Sequence, residues 1–266
     1  MKATQFQTEL AADCIVGWLT DYAKESNQNG WVVGVSGGID SAVTSALCAR
    51  TGLPTWVVEL PIHQPVDHVN RARIHMSNLK KSFSKVQVES IDLTSVYEAF
   101  RSVLPQDKDA SNGLALANSR ARLRMTTLYA LAAQHGALVV GTGNKVEDFG
   151  VGFYTKYGDG GVDLSPIADL TKTEIFALGS FLGVPSEIQK AAPTDGLWGD
   201  DRTDEMQIGA TYPELEWAME QVQRGSGQLS EREEEVLAIY KRMHQANQHK
   251  MKPIPVCLIP EAIRLG

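Results

Sequence analysis

One aspartate, two serines and three glycines lie close together in GVSGGIDS, residues 34–41. An apolar WVV run precedes this stretch and a helix-like AVTSAL segment follows it, so the pattern predicts a loop that leads into a helix. Unpaired N–H groups at a helix N-terminus attract phosphate, and Ser36 and Ser41 can add hydroxyl donors. A carboxylate beside phosphate is repelled unless a cation lies between them, so Asp40 indicates bound Mg²⁺. The stretch therefore predicts a site for a polyphosphate and a metal ion.

The same residues also fit an ordinary strand–turn–helix connection in which Ser or Asp caps the helix. The loop has neither the GxxxxGK[ST] pattern of a Walker A loop nor the GxGxxG pattern of dinucleotide folds. It resembles the PP-loop of N-type ATP pyrophosphatases, which split ATP into AMP and pyrophosphate while adenylating a substrate oxygen. That superfamily includes GMP synthetases, asparagine synthetases, argininosuccinate synthetases, tRNA-thiolating enzymes and NAD synthetases. The loop alone does not choose among them.

Two further polar stretches follow the apolar run ALVV. In GTGNKVE, residues 141–147, Thr142 lies where a predicted strand ends, which is where such folds bind ligands. Glu147 alone fits a solvated helix face, but opposite Asp40 it would complete a two-carboxylate Mg²⁺ site. FYTKYGDGG, residues 153–161, combines aromatic rings, a lysine and a glycine tract, which suits a substrate with a flat ring and negative charge.

The segment ALANSRARLRM, residues 115–125, carries polar groups at helical spacing. Asn118 and Arg122 are four residues apart, as are Arg120 and Arg124. These groups could form a solvated helix surface, or they could place an arginine in a pocket to bind a carboxylate or phosphate. The residues themselves leave both interpretations open.

The elements that must position these residues alternate along the chain. Val-rich runs predict strands, and helical segments lie between them: strands at 31–35, 55–60, 86–93 and 137–142, and helices at 41–51, 66–82, 94–104, 112–135 and 171–182. This alternation predicts an α/β fold with a doubly wound, Rossmann-like parallel sheet. Helical extensions follow residue 143, and we expect residues 1–266 to form one domain.

An amphipathic helix is predicted near the N-terminus, at residues 5–26. It is expected to pack on the body of the protein through apolar residues at four-residue steps. These are Phe6, Leu10, Cys14, Trp18 and Tyr22, with Ile15 and Leu19 beside them.

Composition excludes several classes of protein. The formal net charge of the 266 residues is −7, which argues against a general nucleic-acid or membrane-surface binder. Three cysteines without a CxxC pair indicate a reducing compartment. The start of the chain does not resemble a signal peptide, and no apolar run approaches the roughly 18 residues of a transmembrane helix. We therefore expect a cytoplasmic protein.

The order and spacing of the motifs resemble those of the NAD synthetase family. SGGIDSA, NSRARLRM, GTGNKVE, GFYTKYGDGGVDLSPIADLTK, KAAPTDGLW with DE, and a late HK follow one another over nearly the whole chain. Within the superfamily, TKYGDGG and the terminal HK are specific to this family. The resemblance implies a homodimeric enzyme that converts deamido-NAD (nicotinic acid adenine dinucleotide), ATP and ammonia into NAD, AMP and pyrophosphate with Mg²⁺.

The resemblance also implies roles for individual residues. It assigns ATP to Gly34, Val35, Ser36, Gly37, Gly38, Ile39, Asp40, Ser41, Thr142, Lys172 and Thr194, and Mg²⁺ to Asp40 and Glu147. It assigns deamido-NAD to Arg122, Lys156, Asp163, His249 and Lys250. We further hypothesise that Asp159 deprotonates or orients ammonia. Adenylation makes AMP the leaving group of an otherwise unreactive carboxylate, so no protein nucleophile is required. With no room for an amidase domain, free ammonia is the expected nitrogen source, unless a separate glutaminase chain docks.

The chain departs from the family pattern in two places. GTGNKVED replaces the GTDHAAE form of many short bacterial enzymes, and one residue is added before TKYGDGG. Glu59 stands where an arginine is common, and it is assigned no role. The loop at 195–205 is expected to close over the site. Two alternatives remain: another AMP-forming PP-loop ligase of the GMP synthetase type, and a non-catalytic adenine-nucleotide-binding module.

Overall fold

The computed structural model describes residues 6–105, 112–194, 203–225 and 227–264. In these ranges, four strands form a sheet in the order β3-β2-β1-β4, and every neighbouring pair is parallel. The strands are β1 Trp31–Gly34, β2 Thr55–Glu59, β3 Val86–Ser90 and β4 Leu138–Val140. The predicted parallel α/β sheet is therefore confirmed. Its order reverses direction between β1 and β4, which is where open sheets of this kind bind ligands.

Helices cover both faces of the sheet. They are α1 Thr8–Glu25, α2 Ile39–Arg50, α3 Val66–Ser82, α4 Thr94–Ser102, α5 Asn112–His135, α6 Lys172–Phe181, α7 Ser186–Gln189, α8 Asp204–Ile208, α9 Tyr212–Arg224, α10 Glu231–Met251 and α11 Glu261–Arg264. Successive residues of β1 face opposite sides. Trp31 and Val33 pack with α1, α2 and α6, whereas Val32 packs with α4 and α5. Burial on both faces explains the continuous apolar run of this strand.

Helices α9 and α10 form a second apolar cluster beside the sheet. This cluster includes Val146 and Val151 from the stretch that follows β4, together with Leu215 and Val236. It therefore holds the chain after β4 in place at the carboxyl edge of the sheet. In the described part of the chain, no helix combines the length and apolar character needed to cross a membrane.

The contact face predicted for α1 is partly wrong. Leu10 and Trp18 are 61% and 45% exposed, and Cys14 is exposed as well. The helix instead buries Ala12, Leu19 and Ala23 in the core. Four further apolar residues are partly buried against it: Phe6, Ile15, Val16 and Tyr22. Small alanines let α1 lie close to α2 and α6, whereas the sequence shows apolar residues on more than one face of this helix and does not favour one of them.

A buried histidine joins α3 to α2 behind the loop at 34–41. The Ser45 hydroxyl donates to the backbone oxygen of Ser41 at 2.7 Å, and His75 Nε2 lies 2.9 Å from Ser45 Oγ. His75 is 3% exposed, and burial lowers its pKa to about 4.

The free energy of unfolding should therefore fall as the pH is lowered from about 6.5 toward about 4. In that range the unfolded state takes up a proton that the buried imidazole does not, a loss of up to about 3 kcal/mol. Urea titrations of the wild type and His75→Gln at two pH values measure this effect. The variant should lose less stability on acidification, and equal losses in both proteins would contradict the assignment.

Candidate active site

A cavity of about 520 Å³ opens at the carboxyl ends of β1, β2 and β4. It is lined by many of the residues predicted from the sequence: Gly34, Val35, Ser36, Gly37, Gly38, Ile39, Asp40, Ser41, Thr142, Glu147, Asp159, Lys172, Thr194 and Lys250. The fold thus brings the loop and both later motifs to one place. Of the predicted closing loop, residues 195–202 lie outside the described residues.

Hydrogen bonds within the loop at 34–41 and the conformation of Gly37 fix the shape of this loop. The backbone N–H of Ser36 donates to Ser41 Oγ at 3.2 Å, and the Ser41 hydroxyl donates to the backbone oxygen of Gly38 at 3.0 Å. Gly37 has a φ of 86°, and a Cβ at this position would lie 2.5 Å from the carbonyl oxygen of His68. Only glycine fits this position, and the N-terminus of α2 faces the cavity as a result.

A lysine and two carboxylates meet above this loop. Lys172 Nζ lies 2.6 Å from Asp40 Oδ2 and 3.0 Å from Glu147 Oε1, and its side chain is 4% exposed. Burial lowers the pKa of Lys172, but the attraction of the two carboxylates outweighs it, so the pKa stays above its usual value. Lys172 is the first residue of α6, where the helix dipole disfavours a cation. The carboxylates, and not the helix, therefore account for its position.

Asn144 connects these groups to the motif after β4. Its side-chain amide donates to Asp40 Oδ1 at 3.0 Å, and its Oδ1 accepts the backbone N–H groups of Val146 and Glu147, each at 3.1 Å. Asn144 is fully buried. It fixes the orientation of Asp40 relative to the turn that carries Glu147, a role that sequence reasoning did not predict.

The two carboxylates suit a magnesium ion. Oxygens of Asp40 and Glu147 converge on one ammonium group, so both lie within reach of a single cation. Mg²⁺ prefers oxygen ligands and commonly takes one or two carboxylates, with water and substrate phosphates at its remaining positions. No cluster of three or more ligating side chains occurs in the ranges that the structure describes. Two carboxylates, with phosphate oxygens and water at the remaining positions, fit an ion shared with a nucleotide.

Tyr212 is a second residue that sequence reasoning missed. Its hydroxyl donates to Glu147 Oε1 and lies 3.3 Å from Asp204 Oδ2. The ring lies 4.6 Å from Lys172 Nζ, which is a cation–π contact. Burial and the nearby Glu147 raise the pKa of the phenol above its usual value, so the hydroxyl stays protonated.

The turn that carries Glu147 is wider than an α-helical turn. Val146–Val151 form a π-helical turn, which takes one residue more per hydrogen-bonded loop than an α-helical turn. Gly152 follows with a φ of 65°, and a Cβ there would lie 2.4 Å from Cβ of Asn247 in α10. The wide turn and the glycine let the chain pass close to α10.

Asp159 also lines the cavity. Its Oδ1 accepts the backbone N–H of Thr155 at 3.0 Å, and the Thr155 hydroxyl donates to Asn118 Oδ1 at 2.7 Å. The low-polarity surroundings raise the pKa of this carboxyl. A second cavity of about 200 Å³ adjoins this point and is lined by Asp148, whose pKa burial raises to about 8.

Helix α5 has a pocket side and a solvated side. Asn118 and Arg124 line the cavity, whereas Arg122 is exposed. Arg124 donates from Nε to the backbone oxygen of Leu60 at 2.9 Å and from a terminal nitrogen to Gln64 Oε1 at 2.7 Å. Burial lowers the pKa of Arg124 to about 10. Helix α5 thus has both a solvated arginine and an arginine in the cavity wall, and the binding of a carboxylate or phosphate by the latter stays a prediction.

Three of the residues predicted to bind deamido-NAD lie outside the cavity and contact one another. The Arg122 guanidinium donates to the backbone oxygen of Lys156 at 3.3 Å, and Lys156 Nζ donates to the backbone oxygen of His249 at 2.6 Å. We call Arg122, Lys156 and His249 the exposed basic cluster. Lys250, which follows this cluster, lines the cavity and donates from Nζ to the backbone oxygens of Gly152 and Tyr154, each at 2.8 Å.

Two acidic residues have protein partners. Asp163, predicted to bind deamido-NAD, does not line the cavity, and it accepts the N–H of Val139 at 2.8 Å and the hydroxyl of Tyr129 at 3.0 Å. Its role in substrate binding stays a prediction. Glu59 is 3% exposed, and Arg73 donates to both of its carboxylate oxygens, at 2.8 to 3.2 Å. This ion pair explains a residue that the sequence left without a role.

The fold and the site define a nucleotide-binding α/β protein of the PP-loop, Rossmann-like class. A glycine-rich loop at the reversal of strand order faces two carboxylates and a buried lysine. A sequence model of the NAD synthase family matches residues 11–254. The chain belongs to the NAD synthase family.

Individual relatives agree with this assignment. The NH3-dependent NAD+ synthetase of Carboxydothermus hydrogenoformans is 36% identical over 242 residues, covering 91% of this chain and 93% of the relative. The structure of an NMN synthetase from Francisella tularensis is similar with a TM-score of 0.82 and 33% identity, covering 96% of this chain and 99% of that one. An NH3-dependent NAD synthetase from Campylobacter jejuni shares the fold with a TM-score of 0.76 and 24% identity, over 95% and 100% of the two chains.

Proposed function

We propose that this chain is an ammonia-dependent NAD synthetase, which amidates deamido-NAD with ATP to give NAD, AMP and pyrophosphate. The observation that carries the proposal is the meeting of Asp40, Glu147 and Lys172 beside the phosphate loop. This is the arrangement needed to cleave a polyphosphate, and curated members of the family carry the same activity in their names. Mere nucleotide binding, the alternative raised by the sequence, does not require it.

Different residues of the site would bind ATP, hold the metal ion and stabilise the leaving group. The loop at 34–41, with Thr142 and Thr194, would bind the phosphates and ribose of ATP through backbone amides and hydroxyls. Asp40 and Glu147 would hold Mg²⁺, which supplies positive charge next to the phosphates when bound. Lys172 would stabilise the charge that develops as pyrophosphate leaves. The substrate carboxylate thereby receives AMP as a leaving group.

Asp159 would act on the nitrogen source. Ammonia is mostly ammonium at neutral pH, so it must lose a proton before it attacks the acyl adenylate. The raised pKa of Asp159 suits a proton acceptor, and the smaller cavity offers acidic groups beside the main one. An Asp159→Asn enzyme with the wild-type dependence on ammonium would overturn this role.

A second candidate substrate is nicotinic acid mononucleotide, which would be amidated to nicotinamide mononucleotide. The observation that favours it is the likeness to the Francisella NMN synthetase, at higher identity and TM-score than the Campylobacter NAD synthetase. A mononucleotide would need the cavity alone, whereas the second half of a dinucleotide would extend toward the exposed basic cluster. Arg122→Ala should therefore impair only the reaction with deamido-NAD.

One assay distinguishes these functions. The protein is incubated with ATP, Mg²⁺ and ammonium, and with either deamido-NAD or nicotinic acid mononucleotide, while the amidated product and AMP are quantified by chromatography. We expect equimolar NAD and AMP from deamido-NAD, and higher kcat/KM than with the mononucleotide. The reverse preference would establish the second candidate. Absence of both products above a blank without enzyme would contradict the proposal.

We also propose that the chain is a single domain that assembles as a cytoplasmic homodimer. The match to one family model over residues 11–254 supports one domain. Residues 252–264, which we call the C-terminal arm, are all exposed, including Val256 at 75% and Leu258 at 85%. The arm follows directly on the exposed basic cluster. Exchange of two arms about a two-fold axis would bury on the order of 1,000 Å², near the lower limit of a stable interface.

Removal of residues 253–266 should convert the dimer into a monomer, because it deletes the large apolar side chains that would be buried against the partner. Light scattering coupled to size-exclusion chromatography measures the mass of each species. Val103→Lys provides a control, since this residue is also apolar and 78% exposed but lies at the end of α4. A dimer that survives truncation of the arm would assign the interface to another surface.

A further inference from the structure

We infer that Tyr212 is a positioning residue that holds Glu147 in place for the metal ion and ties it to α8. The inference rests on the proposed role of Glu147 in binding Mg²⁺. Nothing in the sequence pattern points to this tyrosine, which is 65 residues from its carboxylate partner along the chain. Its position is set by tertiary packing alone.

The hydroxyl of Tyr212 has one proton and two carboxylates within reach. It donates to Glu147 Oε1, the nearer group, while Asp204 Oδ2 lies 3.3 Å away. Lys172 Nζ contacts the same Glu147 oxygen from another direction at 3.0 Å. Two donors on one oxygen fix the direction of the carboxylate and leave Glu147 Oε2 as the oxygen not used by either contact. That oxygen would remain open to a metal ion held together with Asp40.

Tyr212 is itself fixed from several sides. Its side chain is 3% exposed in the apolar cluster formed with α9 and α10. Thr211 caps α9 through a capping box with Glu214, which sets the start of the helix at Tyr212. The backbone N–H of Tyr212 donates to Glu205 Oε1 at 2.9 Å. The ring therefore has little freedom to move away from Glu147.

The same contacts connect Glu147 to the chain on the far side of residues 195–202. Asp204 and Glu205 open α8, and both face Tyr212, one at the hydroxyl and one at the backbone N–H. The backbone N–H of Asp204 donates in turn to the carbonyl oxygen of Pro193 at 3.0 Å, next to Thr194 in the cavity wall. Tyr212 thus links the carboxylate to both flanks of that segment.

Removal of the hydroxyl should weaken metal binding without removing a ligand. In other metal sites, groups that orient a ligand contribute about 10- to 100-fold to metal affinity. Tyr212→Phe keeps the ring, its packing and its contact with Lys172, and it removes only the donor to Glu147. The Kd for the metal should therefore rise by about 10- to 100-fold while the nucleotide still binds.

The test uses Mn²⁺ as the probe and electron paramagnetic resonance to measure its binding in the presence of a non-hydrolysable ATP analogue. Tyr240→Phe is the matched control, because Tyr240 is a buried phenol of the same cluster for which no hydrogen bond of the hydroxyl is found among the described residues. Tyr212→Phe should lose Mn²⁺ affinity, and the control should not. In turnover, the KM for Mg²⁺ should rise while kcat recovers at saturating Mg²⁺.

The outcomes separate this inference from the proposed function. Wild-type affinity for Mn²⁺ in Tyr212→Phe would overturn the positioning role even if the enzyme makes NAD. A wild type that makes NAD but binds no Mn²⁺ at this site would overturn the metal assignment and the inference with it. Equal losses in both tyrosine variants would mean that the cluster is merely destabilised, which also overturns the inference. Melting temperatures of the three proteins identify that last case.

Discussion

Asp40→Asn should lower kcat/KM for NAD formation by about a thousand-fold or more while the protein stays folded. Asparagine has nearly the same shape, so packing around the phosphate loop is preserved. What would be lost is the negative charge that attracts Mg²⁺ and one of the two carboxylates proposed to hold it. Without it, Glu147 alone would have to hold the ion against the phosphates of ATP. Steady-state assays with deamido-NAD, ATP and ammonium over a range of Mg²⁺ concentrations measure the effect.

The control for this variant is Asp21→Asn, an exposed aspartate of α1 that contacts Lys24 on the helix surface. Such exposed pairs contribute little to stability, so this variant should keep both its melting temperature and its rate. Unfolding followed by circular dichroism separates a catalytic loss at Asp40 from a structural one. An Asp40→Asn enzyme with wild-type turnover would contradict the metal assignment, even if NAD synthesis itself is confirmed.

The parts of the site that the sequence predicts are those determined over a few residues. The loop at 34–41 combines glycines, hydroxyls and a carboxylate between a strand and a helix, and its geometry follows from local sterics such as the positive φ of Gly37. The strands are equally predictable from the sequence, because burial on both faces makes them continuously apolar. Once the order of these elements is known, the carboxyl ends of β1 and β4 must meet, and with them Asp40 and Thr142.

The parts that the sequence does not predict depend on contacts between distant segments. Tyr212 approaches Glu147 only because α9 and α10 pack on the turn after β4. Nothing in the sequence distinguishes Asn144 from the other asparagines, and its contact with Asp40 is evident only in the structure. The exposed face of α1 shows a related limit, since apolar residues at helical spacing do not distinguish a core face from a surface that another chain could cover.

The added residue before TKYGDGG is only partly predictable from the sequence. The resemblance to the family indicates this residue, but its structural consequence does not follow from the sequence, because an extra residue can enlarge a loop, shift a helix or widen one turn. The structure has a π-helical turn at Val146–Val151, closed by Gly152. The widened turn leaves Glu147 within hydrogen-bonding distance of Lys172, so the departure from the common pattern does not move the carboxylate out of the site.

Lys172→Met should destabilise the protein by about 3 kcal/mol in the absence of divalent cations. Methionine keeps the apolar stem of the side chain but removes the charge that pairs with Asp40 and Glu147. The two carboxylates are only 16% and 17% exposed, so their repulsion is poorly screened once the ammonium is gone. Urea titration in EDTA measures the change.

Lys145→Met is the matched control for this variant, because Lys145 pairs with Asp169 at 2.8 Å but both side chains are accessible, at 35% and 96%. Loss of such a surface pair should cost less than about 1 kcal/mol. Mg²⁺ or Mn²⁺ should restore part of the stability of Lys172→Met, since a divalent ion can take the position between the same oxygens, and it should do nothing for the control. Restored stability without restored turnover would separate two roles of Lys172. Its charge balances the carboxylates in the free protein, and on the proposed mechanism it would also stabilise the leaving pyrophosphate. Equal destabilisation of the two lysine variants would mean that Asp40 and Glu147 do not depend on Lys172.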